Sequence, residues 1–267
     1  MEPIVALLRP SGQSIHPGGE PGPGGGLEAL PAGRLPVLLG EATDPARPYL
    51  GRTMRVPSDP ELPDHGDHTL RIRHAGGLVE LYGVVLERPG PGVVYDSLGL
   101  VGARANRLLN FDAEHIRAQI ARRGTNLLVL GFGGNEASDS IVEARYEEDF
   151  RQVIRHMRGE REDLACLIVA PMDQAERRGG AIRTFRSVPR IVRAQRRAAA
   201  AEGCAFFDTF EAMGGAGAMA RWYRSRPALA LSDFRHATDD GYLVIGNMLH
   251  KAILAGYAAW LREGHAD

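Results

Sequence analysis

The sequence lacks most features that mark an unusual environment or partner. No stretch of about 18 apolar residues occurs in its 267, so no segment reads as a membrane-spanning helix. An excess of one charge sign is also missing. The 32 Lys and Arg, mostly Arg, face 33 Asp and Glu, and the net charge is −1. That balance gives no field to attract nucleic acid, and no aromatic-basic face is evident to bind it. Cysteine is scarce. Cys166 and Cys204 sit in the apolar runs "LACLIVAP" and "EGCAFFD", and are expected as two buried thiols rather than as a disulfide or metal pair. The opening "MEPIVALLRP" has neither the basic start nor the long apolar region of a signal peptide.

Several chemical motifs are missing too. There is no G-K-[ST] phosphate loop and no H-E-x-x-H, and the nine histidines do not cluster at ligand spacing. No metal and no cofactor are therefore expected. "LGFGGNEASD" approaches the dinucleotide pattern G-x-G-x-x-G, but Glu136 stands where the last glycine belongs. No acidic residue closes a following strand in the expected unit, so that reading is set aside.

What is present falls into two textures. Residues 1–92 read as a β-rich module. "HPGGEPGPGGG" is a Gly/Pro loop, "RLPVLLGEA" and "TMRVPS" are short strand candidates, and "HTLRIRHAGGLVELYGVVLER" alternates as a hairpin turning at Gly76-Gly77. Residues 93–267 alternate strands and helices. "GVVYDSLG", "TNLLVLGFGGN", "LACLIVAP" and "CAFFDTF" read as strands. The continuous apolar runs among them suit a parallel sheet covered on both faces. Between and after them lie amphipathic helices. The first, "GARANRLLNFDAEHIRAQIARR", has a stripe through Leu108, Leu109, Ile116 and Ile120. This predicts an α/β domain with a doubly wound parallel sheet. Ligands bind such sheets at the carboxyl ends of the strands. Ser97, Gly99, Gly133 to Asn135 and Asp173 follow strand ends here.

Two segments carry candidate chemistry. In "LSDFRHATDDGY", Asp233 and His236 lie three apart before a helix. Such an Asp can fix the tautomer of an imidazole and stabilise the imidazolium formed when the ring accepts a proton. Alone, the same spacing also describes a helix-capping Asp beside a surface His. Asn135, projecting from a strand end, can donate its amide to a developing oxyanion, or simply begin an Asx turn. The basic "RRGGAIRTFR" reads as a solvated loop, near enough to a strand end to face an anionic substrate.

Taken in order, "YDSLGLVGARA", "LVLGFGGNEA", "LIVAPMDQAE", "CAFFDTFEAMGG" and "DFRHATDDGY" resemble the SGNH, or GDSL-type, esterase superfamily. The similarity is greatest to its bacterial O-acetylpeptidoglycan esterase branch, and it covers residues 93–262. The resemblance implies that His236 is the catalytic base and Asp233 its orienting partner. It implies an oxyanion hole made by the Asn135 side chain and the Gly99 N–H. It also implies a serine nucleophile in a Gly-Asp-Ser block ahead of the glycine, and no such block is present. Ser97 sits in the glycine block itself, with only one helix between it and the Asn135 strand. It therefore belongs with the oxyanion loop, and Ser11, followed by a Gly/Pro loop, is a poor candidate. The nucleophile is left unassigned.

In that branch a carbohydrate-binding-like module separates the serine block from the glycine block. Residues 1–92 would be part of such an insert, and 93–267 an SGNH-hydrolase-like domain lacking its first strand. The implied substrate is an acylated carbohydrate, such as O-acetylated peptidoglycan, in a periplasmic or extracellular setting. Two alternatives are a non-catalytic carbohydrate-binding protein with a degenerate esterase domain, and an O-acetyltransferase using the same triad.

Overall fold

The computed structural model describes the backbone of residues 4–10 and, in full, residues 91–263. The Gly/Pro loop and the hairpin about Gly76-Gly77 lie outside them. By internal contacts, Met1–Gln13 group with Pro89–Asp267, and Ser14–Arg88 form a second unit.

The strands are β1 (Ile4–Pro10), β2 (Val93–Ser97), β3 (Leu127–Gly131), β4 (Ala165–Val169), β5 (Ala175–Arg178), β6 (Ala181–Thr184) and β7 (Ala205–Phe207). The helices are α1 (Ala113–Arg122), α2 (Glu143–Arg158), α3 (Ser187–Ala201), α4 (Thr209–Ala212), α5 (Ala218–Arg224) and α6 (Asp239–Arg262), with a 3-10 turn at Ala105–Asn110. Five strands form the main sheet in the order β2-β1-β3-β4-β7. β3 pairs parallel with β4, and β4 with β7. β1 runs antiparallel to both β2 and β3, so β2 points the same way as the parallel set. The expected α/β sheet is present, with one reversed strand within it. The sequence reading placed residues 4–10 with the N-terminal module, whereas β1 occupies the slot between the glycine-block strand and the Asn135 strand.

Alternation along the strands decides which side chains meet which layer. Leu128, Leu130, Cys166 and Ile168 point into one core with Ile120 of α1, Phe150, Val153 and Ile154 of α2, and Ala198 of α3. The helix expected across residues 102–123 is broken. Asp112 caps α1 by accepting the His115 N–H at 2.7 Å, which ends the 3-10 turn before it. Arg123, just past α1, grips Asp96 with two hydrogen bonds of 2.8 and 3.0 Å. This ion pair ties β2 to the helical layer.

Cys166 and Cys204 form a disulfide across a sequence separation of 38 residues, with Cα atoms 4.8 Å apart. This corrects the expectation of two thiols: the parallel register of β4 and β7 brings together two positions that their local sequences do not link. A crosslink closing a loop of this size restricts the unfolded chain, so Cys204→Ser is expected to cost about 2–4 kcal/mol. The check is a lowered urea midpoint, and an unchanged one would contradict it. Among the described residues no helix is long and apolar enough to cross a membrane.

Candidate active site

Gly99 and Asn135, two of the residues singled out by sequence, follow the carboxyl ends of β2 and β3. β1 sets the levels. Ile4 is paired with Gly131 at the end of β3, and Ala6 lies opposite both Val129 and Ser97. Gly99, two residues beyond Ser97, therefore follows β2 to about the level where β3 ends. Pro10, at the other end of β1, lies toward the opposite edge, and Ser11 is outside the described residues.

Beyond β3 the chain turns sharply. Gly133 has φ of +111°, and a Cβ there would come within 2.8 Å of Ile191 and 2.9 Å of Pro171. Only glycine suits both the backbone and the space. Gly133, Gly134, Asn135, Val169 and Pro171 line a small cleft at this edge. The Asn135 amide donates to the Ala103 carbonyl at 2.9 Å. A carboxamide has two N–H donors, and one of them holds the loop that follows Gly99.

Two further contacts clip the same loop to the turn. The Ala105 N–H donates to Glu136 at 2.9 Å, and Arg104 makes a bidentate pair with Asp139 at 2.8 and 2.9 Å. The sequence reading gave Glu136 no role of its own, noting it as a break in a glycine pattern and as part of the segment "LVLGFGGNEA". Glu136 is buried, and the Tyr146 hydroxyl lies 3.5 Å from it. Gln195 donates to that hydroxyl at 3.2 Å and to the Phe132 carbonyl at 3.0 Å. A polar network thus underlies the turn bearing Asn135.

Burial pushes the Glu136 carboxyl above its ordinary 4.5, opposed by the Ala105 amide. In the window between 4.5 and that raised value, the folded chain holds a proton that the unfolded chain releases. Stability therefore falls as pH rises through it. Glu136→Gln cannot ionise and is expected to remove this slope. Urea midpoints from about pH 4 to pH 8 test it, and parallel curves for both proteins would refute it.

Asp233 and His236 lie in the loop between α5 and α6. The Asp233 carboxylate uses both oxygens. One accepts the backbone N–H groups of Arg235 and His236 at 2.9 and 3.1 Å, and the other faces His236 Nδ1 at 2.6 Å. A carboxylate only accepts, so the neutral ring carries its proton on Nδ1 and turns the Nε2 lone pair outward. Burial pushes the Asp233 carboxyl up, but the His236 hydrogen bond and the two amides outweigh it and hold it below the ordinary range.

Phe234, between them, has φ of +58°, a strained conformation for a bulky residue. Its ring is buried edge-on against Tyr223, with centroids 5.0 Å apart. Its carbonyl accepts the Ala175 N–H at 2.9 Å, which anchors the histidine loop to the chain just beyond β4. Below it, Leu231 and His236 bond across the loop and Ala230 bridges Ala237. Thr238 then caps α6 by accepting the Gly241 N–H at 3.2 Å.

The structure brings Asp233 to His236 and, separately, Asn135 to the loop after Gly99; the histidine loop is joined by the Ala175–Phe234 hydrogen bond to the hairpin that follows β4. Ser97 is exposed at the end of β2. Two strands, β1 and β3, separate β2 from β4, a spacing of about 14 Å between their axes. Its neighbour Asp96 is engaged with Arg123. Asp173, also noted at a strand end, is buried and accepts the Met219 N–H at 2.8 Å, which positions α5.

A model of the GDSL-like lipase/acylhydrolase family matches residues 66–244. No curated protein matches the sequence. Among solved structures, a peptidoglycan O-acetylesterase shares the fold with a TM-score of 0.53 at 21% identity, over 65% of this chain and 58% of that one. A gut microbial diltiazem-metabolizing enzyme aligns with a TM-score of 0.37 at 20% identity, over 57% of this chain and 37% of its own. The chain thus spans less than two thirds of the length of either structure.

Proposed function

Because the chain belongs to the GDSL-like lipase/acylhydrolase family, we propose that it carries the base and oxyanion-binding parts of an ester-hydrolysing site. The acyl group is small, such as acetyl, and its acceptor is a carbohydrate hydroxyl, as in peptidoglycan. The observation that carries this reading is the 2.6 Å pairing of Asp233 with His236 Nδ1, which leaves Nε2 free to take a proton. The neighbouring peptidoglycan O-acetylesterase fold supports the substrate class.

The attacking hydroxyl gives its proton to His236 Nε2 as its oxygen bonds to the ester carbonyl carbon. Asp233 stabilises the resulting imidazolium. The carbonyl oxygen becomes an oxyanion, held by the Gly99 N–H and the second N–H of Asn135, each donor contributing about 2.7–4 kcal/mol. When the tetrahedral centre collapses, the imidazolium protonates the leaving sugar alkoxide. If the hydroxyl belongs to a serine, water repeats the sequence on the acyl-enzyme. No described residue is assigned as that serine. The disulfide fits an oxidising compartment, in keeping with a periplasmic or extracellular location.

The test is acetate release from O-acetylated peptidoglycan and from an aryl acetate by the 267-residue chain. Slow release is expected, equal in the wild type and Ser97→Ala. Rapid release that Ser97→Ala abolishes would make Ser97 the nucleophile. Transfer of acetyl to an added sugar in preference to water would replace hydrolase by transferase.

A further inference from the structure

The segment "RRGGAIRTFR", expected as a loop, is folded. β5 and β6 pair antiparallel from Ala175 opposite Thr184 to Arg178 opposite Ala181, around Gly179 and Gly180 with φ of +57° and +79°. The hairpin grows from the residues just past β4, and the hydrogen bond from Ala175 to Phe234 joins its root to the histidine loop.

The two elements also exchange arginines. Arg177 of the hairpin lies over the Phe234 ring, 5.4 Å from its centroid. Arg235 of the histidine loop lies over the Phe185 ring just beyond β6, 5.0 Å from its centroid. A guanidinium stacked on a ring keeps its N–H edge available for an anion while losing the freedom of its long stem. Arg178, Arg183 and Arg186 add three more exposed cations to the same hairpin and its exit.

Charge compensation differs sharply across the molecule. On the helical layer Arg151 and Arg155 pair with Glu202, Arg193 and Arg197 with Glu143, and Arg196 with Asp208. Arg177, Arg178, Arg183, Arg186 and Arg235 make no ion pair among the described residues. Glu176 stands opposite Arg183 in the hairpin register, and Asp233 is committed to His236. Arg235 beside the imidazole and Arg177 over Phe234 are therefore uncompensated by an ion pair, with Asp239 and Asp240 at the start of α6 the next acids along the chain. Arg235 directly precedes His236, their Cα atoms about 3.8 Å apart.

We propose that this arginine-bearing rim binds a carboxylate of the substrate, so that the site takes an anionic, carboxylate-bearing glycan rather than a neutral one. This deepens the esterase reading by naming its substrate class, but its test does not require turnover. Three probes of equal length that carry no acyl ester separate the possibilities: carboxymethyl dextran, dextran phosphate and unmodified dextran. The full chain is expected to bind carboxymethyl dextran about tenfold or more tightly than dextran, with salt weakening the binding. Arg177→Gln combined with Arg235→Gln is expected to remove at least about tenfold of that affinity.

Arg178→Gln with Arg183→Gln alters the opposite face of the hairpin from Arg177, by the register that pairs Arg183 with Glu176, and is expected to weaken binding less than the Arg177 and Arg235 exchange does. Arg193→Gln with Arg197→Gln, on the paired layer, should leave it unchanged. Equal binding of carboxymethyl and unmodified dextran, or equal loss in the α3 variant, would overturn the proposal. So would equal or tighter binding of the phosphate form. Binding as expected without acetate release would leave the rim standing while the hydrolase reading falls.

Discussion

His236→Ala is expected to lower acetate release by about 10²–10⁴-fold, the range a positioned general base contributes. The expectation applies whether the proton comes from a serine hydroxyl or from water, because either attack needs the Nε2 lone pair that Asp233 turns outward. The assay is aryl acetate hydrolysis, with urea unfolding of the same variant to show that the fold is intact. His236 is exposed, so stability should barely move. Equal rates for variant and wild type would remove His236 from the reaction. A parallel loss of stability would show a structural role instead.

Gly241→Ala should have the second large effect, and on a different quantity. In an ordinary helix interior this exchange stabilises by up to about 1 kcal/mol. Here Gly241 is in the first turn of α6, buried against the Leu229 carbonyl, and an added Cβ would collide with that oxygen and press on the Ala237 side chain. The carbonyl cannot yield freely, because it accepts the Thr238 N–H at 3.0 Å. Overpacking of this kind costs about 1–3 kcal/mol or more. The strain falls on Leu229 and Ala237, which flank the histidine loop. Both the urea midpoint and acetate release are therefore expected to fall. A variant as stable as wild type, or more so, would mean that the Leu229 segment relaxes without cost.

The parts of the site that sequence made legible are local. Asp233 and His236 are three residues apart, and their contact needs only one turn. Asn135 follows an apolar run that could only be a strand, so its place at a strand end was fixed once β3 was recognised. The parts that sequence hid are those made by distant partners. Glu136 meets Ala105 across 31 residues and Arg104 meets Asp139 across 35, and neither pair has a spacing to betray it. The disulfide is the same case, since β4 and β7 had to be aligned before two apolar runs became one crosslink.

Fold class was readable for the same reason that strand direction was not. Apolar runs between amphipathic helices specify covered strands, but "IVALLRP" looks alike in either direction. Its reversal in the sheet emerges only from the pairing register. "RRGGAIRTFR" was misjudged because its strands are held by stacking on Phe234 and Phe185 instead of by their own alternation.

The division of labour within the Asp233 carboxylate shapes how this protein can change. One atom bends the polypeptide while its twin aims the imidazole, so the scaffold and the chemistry share a single side chain. Random change there has no gentle intermediate in which the ring survives but drifts: geometry and proton transfer are inherited together or forfeited together.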